Sequence, residues 1–187
     1  ILIARKYKHV YIPYYTCDVI LEPLKKHRIE YDFYSINEQF EPADIISLKP
    51  DSAFLYTNYF GVKSDYIRGL ATQIGNLVID SSQAFFSEPI PGIDTFYSPR
   101  KFFGLPDGGF VSSNTEFDCQ LETDNSIGRI SHLLLRIERG PEEGYDEFKK
   151  NDMLLSDQPV KKMSAFTARL LSGIDYEKCM SIRRENF

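Results

Sequence analysis

Short apolar runs alternate with amphipathic stretches along the first hundred residues, and this spacing predicts a β–α–β order. Lys8 to Ile12 reads as a strand that ends at Pro13. Asp18 is placed to cap a helix over Val19–His27, with Val19, Ile20 and Leu24 as its apolar positions. Ile29–Tyr34 alternates as a second strand, and Phe54–Thr57 reads as a third. Ser64 can cap a helix running to about Gln73, which Gly75-Asn76 ends. Leu77–Ile79 is the fourth strand, and Asp94–Tyr97 and Phe110–Ser112 are two further short ones. Strands alternating with helices predict an α/β fold, a mostly parallel sheet covered by helices on both faces.

Beyond residue 112 the period changes. Ser126 begins a long helical pattern with Ile127, Ile130, Leu133, Leu134 and Ile137 on one face, stopped by Gly140-Pro141. Residues 141–158 are polar with mixed charge and read as a partly mobile surface segment. Ser164 starts a helix carrying Phe166, Leu170 and Leu171, and Asp175 caps a last one.

Composition narrows the classes of function. The 187 residues are 42% hydrophobic and 26% charged, ordinary for a globular domain with a sizeable core. A net charge of −5 without a basic run speaks against nucleic acid as a partner. No apolar stretch reaches the roughly 20 residues that span a membrane, and no signal-peptide pattern opens the chain. Cys17, Cys119 and Cys179 are odd in number and widely spaced, which fits reduced cytoplasmic thiols better than a disulfide frame. His9, His27 and His132 lack metal-ligand spacing. Neither G-x-G-x-x-G nor a P-loop pattern occurs. The start at Ile1 and the uncapped end at Arg183–Phe187 read as a piece cut from a longer chain.

The densest chemistry lies in Leu77–Val111. Asp80 closes an apolar strand, Gln83 follows, Ser98-Pro99-Arg100-Lys101 comes next, and Asp107-Gly108-Gly109 turns the chain into the last strand. Ligands of open α/β sheets bind at the carboxyl ends of strands, where Pro13–Thr16, Tyr59, Asp80 and Lys101 all fall. A carboxylate there can hold a pyridinium nitrogen protonated, and a lysine can form a Schiff base with an aldehyde. Arg100 is adjacent and would favour the free amine, the Ser98 hydroxyl can reach a phosphate, and the glycines let backbone approach a ligand closely.

Asp80-Ser-Ser-Gln83, Ser98-Pro-Arg-Lys101 and Asp107-Gly108-Gly109 resemble the fold type I enzymes that use pyridoxal 5′-phosphate (PLP), the aspartate aminotransferase superfamily. Among these the chain is most similar to the DegT/DnrJ-type sugar aminotransferases. Tyr59-Phe60-Gly61 and Pro13-Tyr14-Tyr15-Thr16 also resemble family segments. The resemblance implies a three-layer α/β/α large domain over residues 1–187, truncated at both ends, with the small C-terminal domain absent. It implies PLP as cofactor, Lys101 and Asp80 as catalytic residues, and Gln83, Ser98, Thr16 and Cys17 at the cofactor. It further implies amino transfer from glutamate to a nucleotide-linked keto-sugar in a cytoplasmic homodimer, as in cell-surface polysaccharide biosynthesis.

Three departures stand against the family pattern. Cys17 occupies the place of the aromatic residue that stacks on the PLP ring. Residues 1–7 contain no glycine for a phosphate-binding turn. The domain that closes over the substrate is missing. A non-catalytic scaffold of the same fold and a PLP-dependent sugar dehydratase are the competing readings. The dehydratases replace the lysine with histidine, so Lys101 favours amino transfer.

Overall fold

The computed structural model describes residues 1–44, 47–117 and 120–186. Cys119 and Phe187 lie outside the described residues. The chain divides into two compact units: Ile1–Ser98 with Phe110–Asp118, and Pro99–Gly109 with Cys119–Phe187.

The first unit is α/β. Six strands, β1 (His9–Pro13), β2 (Glu30–Tyr34), β3 (Ser52–Thr57), β4 (Leu77–Asp80), β5 (Asp94–Tyr97) and β6 (Phe110–Ser112), form one sheet in the order β2-β1-β3-β4-β5-β6. All neighbours are parallel except β5 and β6. β1, β3 and β4 are buried along their whole length, which is why they read as near-continuous apolar runs rather than alternating ones. β3 begins at Ser52, earlier than the apolar run beginning at Phe54 indicated, because Ser52 is itself buried and donates its hydroxyl to Lys49 O (2.6 Å).

Helix α1 (Leu21–Lys26) covers one face through Leu24, beside Val10, Ile12, Leu55 and Val78. Helix α2 (Ser64–Ala71) covers the other through Ile67 and Leu70, beside Phe54, Tyr56, Leu77 and Ile79. Both helices are shorter than the sequence pattern. Pro23 has no N–H to offer the carbonyl of Val19, so Asp18–Ile20 winds as a 3-10 turn, and Asp18 makes no side-chain cap. Ser64 is the first helical residue rather than the cap. Its hydroxyl lies 3.4 Å from both Asn58 Nδ2 and Ser87 Oγ.

Residues 1–7 fold into a turn at the amino end of this sheet. Arg5 makes a bidentate pair with Asp94, the first residue of β5 (2.9 and 3.0 Å), and Ser113 Oγ donates to the same carboxylate (2.6 Å). Burial pushes the Asp94 carboxyl up, but hydrogen bonds from Arg5 and Ser113 outweigh it and hold the group below its ordinary range.

The second unit is helical: α3 (Ser131–Arg139), α4 (Pro141–Met153), α5 (Ala165–Ser172) and α6 (Tyr176–Glu185). The segment 141–158, expected to be loose surface chain, is largely α4, packed antiparallel on α3. Pro141 sits in its first turn with Glu142 and Glu143, and Gly140 (φ 98°) supplies the left-handed joint between the helices. The long helix expected from Ser126 is instead a 3-10 turn, Ile127–Arg129, followed by α3. Its expected apolar face is not what α3 buries: Ile127 and Ile137 are about four-fifths exposed, and His132 is the buried residue. Ser164 and Asp175 do cap α5 and α6, accepting from Thr167 N–H (3.1 Å) and Lys178 N–H (3.0 Å). Among the described residues no helix is long and apolar enough to cross a membrane.

Candidate active site at the strand ends

Chain order reverses across the sheet between β1 and β3: β2 lies to one side of β1, while β3, β4 and β5 step away on the other. Two crossovers diverging from one line leave a crevice at the carboxyl ends of the strands, the usual ligand site of an open α/β sheet. The loops after β1, β3 and β4 meet there, and the sequence supplies each with polar or aromatic groups.

Asp80 ends β4 and is only 8% exposed. Its carbonyl accepts from Asn58 N–H (2.9 Å), which links the exits of β3 and β4. Its carboxylate Oδ1 accepts from Ser82 N–H (2.8 Å), a side-chain turn that leaves Oδ2 as the acceptor for anything placed over the strand end. Gln83 is half-buried, and its Oε1 accepts from Phe60 N–H (3.2 Å).

After β3 comes a 3-10 turn, Tyr59–Gly61. Tyr59 is 1% exposed. Its hydroxyl donates to Tyr15 O (2.9 Å), and its ring stacks on Tyr15 with centroids 5.6 Å apart. Burial pushes the Tyr59 phenol up to about 12, and the Asp80 carboxylate adds to the shift. It therefore remains a neutral donor throughout the working pH range. Phe60 and Gly61 both have positive φ (54° and 77°), a left-handed pair that costs about 1–2 kcal/mol at the phenylalanine. Phe40, also left-handed (φ 60°), packs its ring 5.2 Å from Tyr59 and 5.7 Å edge-on to Phe60.

Thr16 lies in the turn after β1, its N–H donating to Tyr14 O (3.0 Å). Cys17 is exposed and precedes the 3-10 turn that leads into α1. Ser98 is half-buried one residue past β5. Thr16, Cys17, Asp80, Gln83 and Ser98 thus all lie at or just after the carboxyl ends of parallel strands in the first unit. Lys101 closes the 3-10 turn Pro99–Lys101 in the second unit and is exposed.

Two neighbours of Lys101 differ from the sequence reading. Arg100, expected to assist the lysine, is engaged with Asp152 on α4 (2.9 Å). Asp107-Gly108-Gly109, expected to approach a ligand, is tied within its own unit. Asp107 Oδ1 accepts from Ser164 N–H (2.9 Å). Gly108 (φ 100°) passes so near α5 that an added Cβ would meet the Thr167 methyl at 3.1 Å. Its glycine is required by helix packing as well as by φ.

The Tyr59–Tyr15 and Phe60–Gln83 hydrogen bonds were not readable from the sequence beyond the position of Tyr59 after a strand. Phe40 gave no signal, since it comes from the long β2–β3 connection. Among the described residues no cluster of three or more His, Cys, Asp or Glu could hold a metal. No family model, curated protein or solved structure matches the chain.

Proposed function

We propose that the chain is the large domain of a PLP-dependent aminotransferase of the aspartate aminotransferase-like, three-layer α/β/α type. The observation that carries this reading is Asp80, a buried carboxylate at the end of a central parallel strand, with one oxygen already fixed by Ser82 N–H. Such a group fits the counter-charge that a pyridinium nitrogen needs. Bound PLP would supply the electron sink on which amino transfer depends. Lys101 would anchor the cofactor covalently and carry the proton taken from the substrate carbon. Gln83 and Thr16 would position the ring, and Ser98 would reach the phosphate. Cys17, in the stacking place, would offer the ring a thiol rather than an aromatic face. The reading extends to glutamate as donor, a nucleotide-linked keto-sugar as acceptor, and a cytoplasmic homodimer. It has no place for nucleic acid or a membrane.

One observation favours a non-catalytic scaffold instead. Residues 1–7 turn at the amino end of the sheet, where Arg5 holds Asp94, so they supply no phosphate turn at the strand ends. Borohydride reduction in the presence of PLP, followed by mass spectrometry, separates the two readings. The aminotransferase reading expects a cofactor adduct on Lys101 that Lys101→Ala abolishes. No adduct on the folded full-length chain would leave the scaffold.

A further inference from the structure

The turn Tyr59–Gly61 touches no expected cofactor residue by sequence adjacency, yet it reaches the loops on both sides of it. Toward β1, the Tyr59 hydroxyl holds the carbonyl of Tyr15, next to Thr16. Toward β4, Phe60 N–H holds the Gln83 side chain. The second bond has a chemical consequence. A backbone N–H can only donate, so the carboxamide must turn its oxygen to Phe60, and the nitrogen end with its two donors is what remains for a ligand. The backbone pays for this with positive φ at Phe60, a conformation a bulky residue keeps only where its surroundings enforce it.

We infer that Tyr59-Phe60-Gly61 is the positioning element of the strand-end site. Tyr59 fixes the loop carrying Thr16, and Phe60 fixes Gln83 so that it presents hydrogen-bond donors to an acceptor atom of the bound ring. Neither residue is itself catalytic. The inference deepens the PLP reading and depends on it for the identity of the ligand, but the two latches stand on geometry alone.

The test uses the full-length chain and Tyr59→Phe, which keeps the ring stack and deletes one hydroxyl. Hydrogen–deuterium exchange at residues 15–17 should quicken in the variant. The dissociation constant for PLP, from absorbance titration, should rise by up to about tenfold, the weight of one partly buried hydrogen bond. At saturating PLP, Lys101 should still be modified, but the visible circular dichroism of the bound cofactor should fall, since that signal reports its orientation. Gln83→Glu retains the acceptor for Phe60 N–H and loses the donors. It should weaken PLP while leaving the exchange of the 59–61 turn unchanged. Unchanged exchange and unchanged dichroism in Tyr59→Phe would overturn the inference. A wild-type chain that takes no PLP would defeat the cofactor reading instead, and the exchange comparison would still decide whether Tyr59 holds the loop.

Discussion

Gly69 in α2 and Gly144 in α4 should respond in opposite directions to the same substitution, alanine. An added Cβ at Gly69 meets nothing within 4 Å. Alanine there gains helix propensity and loses unfolded-state freedom, so Gly69→Ala should stabilise by about 0.5–1 kcal/mol. At Gly144 the same atom would lie 2.6 Å from Arg136 Cγ and 2.9 Å from His132 O. One contact is backbone, so no rotamer change relieves it, and α3 and α4 must part by several tenths of an ångström. Overpacking of this kind costs about 1–3 kcal/mol, against a propensity gain of about 1 kcal/mol. With backbone atoms in the way the upper half of that range applies, about 2–3 kcal/mol, so the net expectation is destabilisation by about 1–2 kcal/mol. Urea titration of each variant against wild type, with hydrogen exchange to tell the units apart, measures both. A Gly144→Ala protein as stable as wild type would refute the claim that this glycine exists for the close approach of α3 and α4.

Arg5→Ala should take the bidentate partner from a buried carboxylate and cost about 1–3 kcal/mol, measured by denaturant titration of the first unit. Because the Asp94 pKa is depressed on folding, its contribution is present above the unfolded carboxylate range, near pH 4, and is lost as pH falls through the folded value; Arg5→Ala should flatten that acid limb. His132 is held below its ordinary value, first by burial and then by the Arg100 charge, while its Nδ1 accepts from Asn151 (2.9 Å). Stability it contributes is therefore complete above about pH 6.5 and declines as pH falls through the lower folded value. Thermal melts at pH 7.5 and 5.5 should show a drop that His132→Gln reduces, and an equal drop in both proteins would count against it.

The sheet was legible because three of its strands are buried on both faces and announce themselves as apolar runs between turn residues. Asp80 was legible for the same reason, being the polar residue that ends such a run. The helices of the second unit were less so. Proline at 141 was read as a stop after Arg139 when it also starts α4, and the apolar positions of the 127–137 pattern are largely exposed while a histidine is buried. What a helix buries depends on its neighbour, and the periodicity alone does not name one. The Tyr59 and Phe60 latches were out of reach because they join loops some 20 to 45 residues apart through bonds that no local pattern encodes.

The β1–β3 ladder is also the joint on which the strand-end cluster depends. β1 with β2, and β3 with β4, are neighbours in sequence as well as in the sheet, so each pair closes a short loop. β1 meets β3 only by bringing His9 beside Ser52, a long closure that costs chain entropy before any contact repays it. Until that joint forms, the loop of Tyr15 and the turn of Tyr59 belong to separate pieces. The candidate site is thus absent from every partly folded form that lacks the joint, and in such forms the apolar edges of β1 and β3 stand open to other chains.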